Sequence, residues 1–257
     1  MAFRSYGSTI SLGFGGGTTR AVKQLLIANV VAFVAATLLQ AAGMGMPVRV
    51  LMLTPYSVTH SFALWQPITY LFLHGGFFHI LFNMLTLWMF GCDLERQWGT
   101  RRFLTYYFLT GIGAGLCVVL VNPSSLVATL GASGAIYGIL LAFGLLYPDR
   151  QILFFMIFPI PAKYFVMILG GIAFLSALSM PGDTVSHVAH LGGLVIGFIY
   201  LRGRGRWFNL RNEYYRWRRH RLQRKFKVYQ TKKDHEEGRP DRLSILLRSL
   251  EVVAEVL

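Results

Sequence analysis

Charge is what this sequence has least of: 14% of its residues are Asp, Glu, Lys or Arg, where a soluble domain carries about 25%. Between Lys23 and Arg202 only ten charged residues occur, clustered in short connections. That shortage excludes a water-soluble globule, because long stretches have no wet face. Acidic residues are scarcer still, 11 against 25 Lys and Arg, which leaves few carboxylates for catalysis or metal binding. Cysteine is limited to Cys92 and Cys117; they fit no disulfide or metal spacing and read as free thiols. The first apolar run ends without a clear small-residue cleavage site, so a cleavable signal peptide is not expected.

What fills the chain instead is apolar, 54% of residues, in runs of about 20 that read as membrane spans. The expected fold is an all-α membrane protein of six spans: 24–42, 68–91, 102–121, 132–147, 162–179 and 185–201. Basic residues alternate between connections: Arg4, Arg20, Lys23; Arg96, Arg101, Arg102; Arg150, Lys163; and the tail. By the positive-inside rule both termini are then cytoplasmic. Three regions follow: a flexible arm over 1–20, a six-helix domain over 21–202, and a basic tail over 203–257. The segment 202–257 carries sixteen Lys and Arg against seven Asp and Glu, so it supplies +9 of the net +14. A basic flank after the last span is expected at anionic lipid heads rather than on nucleic acid. Leu243, Leu246, Leu247, Leu250, Ala254 and Leu257 fall at helical spacing and predict an amphipathic helix at its end. Residues 43–67 read as a long apolar outer loop lying in the interface. Residues 151–161, with two prolines, read as a segment along the inner surface.

Ionisable groups inside hydrocarbon are costly and mark function by default. Here they are His74 and His79 on the expected second span, and His187 and His190 on the sixth. Asn83 lies one turn after His79 on the same face; Ser133 opens the fourth span, with Tyr137 one turn below. From Ser133 to Pro148 is about 15 residues, roughly 22 Å, so that helix is too short for a core of roughly 30 Å and should begin below the outer surface. His190, His79 and Asn83 fall in the same outer layer by the same rise. Gly134 and Gly138 on the fourth span, and Gly193 and Gly197 on the sixth, are spaced to let two helices touch. Such a contact could bring the Ser133 hydroxyl within reach of a His190 ring nitrogen.

With these motifs in hand, the sequence resembles the rhomboid proteases of the prokaryotic six-span type over about residues 20–202. The likeness rests on HGGFFHILFNM (74–84), ERQWG (95–99), GASGAIYG (131–138) and AHLGGLVIG (189–197). It implies Ser133 as nucleophile, His190 as base, His79 and Asn83 in an oxyanion hole, and Tyr137 packed on the catalytic imidazole. It also implies a Ser–His dyad without a carboxylate; Asp183, in the outer loop, is the one candidate for a third member. Where many members carry Trp-Arg ahead of the second span, this chain has Trp65-Gln66, which bears on the polar contacts of the first loop.

The reaction so implied is hydrolysis of transmembrane protein substrates through an acyl-enzyme, in a prokaryotic inner membrane, with the site opening outward and no metal or cofactor required. Backbone N–H groups near Ser133, that of Ala132 among them, join His79 and Asn83 as oxyanion donors. Gly131, Gly134, His187 and Gly193 support the site. Three other classes stand beside it: a zinc protease using His79, His187 and His190, disfavoured because HExxH is absent; a histidine-lined proton-coupled transporter, disfavoured without intramembrane carboxylates; and a non-catalytic binder of membrane helices.

Overall fold

The computed structural model describes residues 17–154, 158–179 and 187–203. Contacts divide the chain into two units, Met1–Leu201 and Arg202–Leu257. The first sixteen residues, Asp183, the basic tail and its expected amphipathic helix lie outside the described residues.

Among the described residues six helices have 14 residues or more: α1 (Arg20–Ala41), α2 (Phe77–Trp98), α3 (Thr100–Val121), α4 (Ser133–Leu146), α5 (Ala162–Ser179) and α6 (187–203). The first three are each long and apolar enough to cross a membrane. α4 and α5 are shorter apolar helices. α3 is central, burying Tyr106, Tyr107, Thr110, Gly111 and Ala114, and packs along α4.

α2 departs from the expectation of a span over 68–91. Gln66–Thr69 and Tyr70–Phe72 are a separate short helix and a 3₁₀ turn, and the helix proper begins only after Gly75-Gly76. His74 therefore lies ahead of α2, not on it. At its other end α2 runs on, through a π turn at Leu87–Gly91, into the charged stretch Cys92–Trp98. The charges there do not stop the helix because each finds a partner in the fold. Asp93 pairs with Arg96 at 3.0 Å and Arg150 at 2.7 Å.

Glu95 is 4% exposed and accepts the N–H groups of Ala21 and Val22, both at 3.0 Å, and the Thr100 hydroxyl at 2.6 Å. The first N–H groups of a helix have no intrahelical partner, and Thr19 at the N-cap of α1 supplies no side-chain bond. Glu95 thus caps α1 from α2. Glu95→Ala, which orphans those donors, should cost about 2–4 kcal/mol, read as a fall in unfolding temperature in detergent.

The first loop is not extended. It folds into Met46–Leu51, Pro55–His60 and Gln66–Thr69. Gln66, 4% exposed, ties them: its Oε1 accepts Thr54 N–H at 2.9 Å and its Nε2 donates to Val50 O at 3.1 Å. A neutral amide therefore links two of the loop's short helices, beside Trp65 Nε1 to Val50 O and the Thr69 hydroxyl to Leu51 O. Within 151–161, β1 (Gln151–Phe154) and β2 (Phe158–Pro161) pair antiparallel, a pairing the sequence reading did not expect.

Candidate functional site

Ser133 is the first residue of α4, with Ala132 at the N-cap. Just before them, Gly131 adopts φ +123°, where a side chain is rarely tolerated. Its N–H donates to Tyr70 O at 2.9 Å. A Cβ on Gly131 would also stand 2.7 Å from His79 Nε2, so the turn and the imidazole can approach only because the residue is glycine.

From α6, His190 Nε2 comes within 2.8 Å of Ser133 Oγ. That is hydrogen-bond distance, suited to moving the hydroxyl proton to the ring. Tyr137, one turn into α4, stacks on His190 with centroids 4.3 Å apart and planes 6° from parallel, which restrains the imidazole's tilt. His187 meets His190 edge-on at 6.2 Å.

Small residues set this approach. A Cβ on Gly193 of α6 would collide with the backbone carbonyl of Gly134, and one on Gly134 would meet Ala114 Cβ at 2.5 Å. Gly138 and Gly197, expected to face each other in the same way, do not. Gly138 packs against Thr110, and Gly197 against the Tyr106 hydroxyl, which donates to Gly138 O at 2.8 Å. The reason is α3: its side chains enter between α4 and α6 one turn below the serine, so one of the two glycine pairs touches.

On α2, His79 and Asn83 face the same turn. His79 Nδ1 accepts the Gly75 N–H over a long 3.4 Å, so in the neutral ring the proton sits on Nε2, the nitrogen beside Gly131. Asn83 is 7% exposed, and its Nδ2 is buried with no partner among the described residues. That nitrogen lies 3.9 Å from where a Gly131 Cβ would be. Two N–H donors thus border the backbone that leads into Ser133, where the first-turn N–H groups of α4 are also unpaired within the helix.

Ser133, His190, Tyr137, His187, Gly131, Ala132, Gly134, Gly193, His79 and Asn83 accordingly gather at one place in the fold. Among the described residues no three His, Cys, Asp or Glu side chains form a metal cluster. Two further neighbours border the site: Tyr70, which the sequence reading missed, and His74, which it named without a role. Tyr70, 1% exposed, holds the turn through its carbonyl and ties to α3 by its hydroxyl, which donates to Gly111 O at 2.6 Å. His74 packs on His79. Tyr70 carries no periodic or spacing signal that could have flagged it; His74 had one, a histidine within an apolar stretch.

A family model described as the Rhomboid domain matches residues 61–206, more than half of the chain. Among curated proteins, the chain is 33% identical over 162 residues to "Rhomboid protein 1, mitochondrial" of Saccharomyces cerevisiae, covering 53% of this chain and 45% of that protein. It is 33% identical over 163 residues to "RHOMBOID-like protein 1" of Arabidopsis thaliana, covering 60% and 39%. It is 34% identical over 134 residues to "Rhomboid protease GluP" of Bacillus subtilis, covering 52% and 25%. The chain spans less than half the length of each of these three relatives.

Proposed function

The chain belongs to the rhomboid family and is an integral membrane protein, and from that premise we propose that it is an intramembrane serine endopeptidase cutting transmembrane helices of other proteins. The observation that carries the reading is the 2.8 Å contact of Ser133 Oγ with His190 Nε2. In the reaction, His190 Nε2 takes the hydroxyl proton as Ser133 Oγ attacks the scissile carbonyl carbon. The oxyanion so formed is held by His79 Nε2–H, Asn83 Nδ2–H and the backbone N–H groups at Ala132 and Ser133. Collapse breaks the C–N bond, His190 returns the proton to the leaving amine, and water hydrolyses the acyl-serine by the same route. Tyr137 keeps the imidazole in plane throughout.

The setting belongs to the same proposal: six spans, both termini cytoplasmic, and a site opening outward, in a prokaryotic inner membrane. α4 has 14 residues, about 21 Å, against a hydrocarbon core of about 30 Å; with its C-terminus inside, its serine end lies below the outer surface, and water must descend to it. A substrate helix hides its carbonyls in hydrogen bonds, so it must unwind before attack. The basic tail lies against anionic lipid.

Fluorophosphonate labelling of the solubilised full chain tests the chemistry. Label should appear on Ser133 and vanish in Ser133→Ala and in His190→Ala; an active preparation that takes no label contradicts the serine mechanism. Asn83→Ala removes one oxyanion donor and should lower kcat about 10²–10³-fold with little change in KM, measured on a peptide carrying a transmembrane segment.

A further inference from the structure

His74 is a titratable side chain that the mechanism leaves unused. It is 8% exposed, and neither ring nitrogen makes a hydrogen bond of good geometry to the described residues. Buried polar atoms are nearly always paired, so such a group calls for an explanation. Its ring meets His79 edge-on, centroids 5.1 Å apart and planes at 72°, a favoured aromatic geometry. The next residue grips His79 as well, since Gly75 N–H donates to Nδ1, but at 3.4 Å that bond is too long to hold a ring by itself. His74 also lines a cavity of about 600 Å³, together with Phe33, Val48, Met52, Leu73 and Leu130, and His79 does not.

We infer that His74 is a positioning residue for His79. Its ring touches the His79 imidazole and lines the cavity, and so backs that imidazole, keeping Nε2–H on the Gly131 turn while Gly75 N–H sets the tautomer. Without that ring the imidazole gains room to swing away, and the oxyanion donor is lost for part of the time. This rests on the protease reading above, and on the shape of the His74 ring rather than on its protons.

The test is steady-state kinetics of the purified full chain on a fluorogenic peptide carrying a transmembrane segment. His74→Ala should lower kcat about tenfold with KM unchanged within about twofold, the worth of one aromatic contact. His74→Phe, which keeps the edge contact, should recover most of the loss, and His74→Gln should not. In a His79→Ala background His74→Ala should have no further effect. An equal loss in both backgrounds, an unchanged kcat in His74→Ala, or better rescue by Gln than by Phe overturns the inference. The Phe and Gln comparison decides it even if the alanine variant fails to fold. Residual turnover in Ser133→Ala equal to wild type would instead sink the protease reading beneath it.

Discussion

Gly193→Ala should lose both stability and turnover, although it adds a single methyl group. The new Cβ meets the Gly134 carbonyl, a backbone atom that cannot rotate away, so α4 and α6 must separate. Overpacking of this kind costs about 1–3 kcal/mol. The catalytic consequence is larger. Gly134 adjoins Ser133 and Gly193 lies one turn from His190, so a separation of about 1 Å at the glycines passes almost whole to the Oγ–Nε2 contact. A misplacement of that size lowers rates about 10²-fold. Gly197→Ala, one turn further on, meets the Tyr106 hydroxyl at 2.6 Å, the far end of a side chain, and should cost less of both. Equal turnover losses in the two variants would remove Gly193 from its role as the spacer of the pair. Unfolding temperature and kcat, measured on the same samples, separate the two effects.

The second large effect is chemical. Ser133→Ala should reduce turnover by roughly 10⁴–10⁶-fold, and adding His190→Ala should reduce it no further, because residues acting as one unit are grossly non-additive. The serine is half-buried and loses one hydrogen bond, so stability should move by about 1 kcal/mol or less. A double variant much slower than either single variant would show that the two side chains serve separate steps.

The helices of this fold are legible in the sequence because apolar length is a strong signal; their ends are not. The second helix was expected from 68, yet Gly75-Gly76 releases the chain and α2 starts at Phe77. At its far end Asp93, Glu95 and Arg96 look like a connection, but partners remote in sequence satisfy them: the Ala21 N–H donates to Glu95 and Arg150 pairs with Asp93. The pairing of β1 with β2 escaped because two prolines in an apolar run read as a helix stop, and nothing local reports a strand partner. At the site, Ser133 and His190 stand out as polar groups in apolar surroundings, and the small residues around them suggest close helices. That Gly134 and Gly193 touch while Gly138 and Gly197 do not depends on Tyr106, whose reach no spacing rule contains. The same holds for Gln66: its departure from Trp-Arg is visible in the sequence, but its burial and its partners at Val50 and Thr54 are set by the loop's course.

The Gly134–Gly193 contact also bears on how α6 can move. Gly193 rests on the Gly134 carbonyl, Gly192 on Ala114 and Cys117, Ile196 on Gly113, and Gly197 on Tyr106. The helix is thus seated over more than one turn on both α3 and α4. His190 lies three residues from Gly193, about 4.5 Å along the axis, so the imidazole cannot be displaced without unseating that whole stretch.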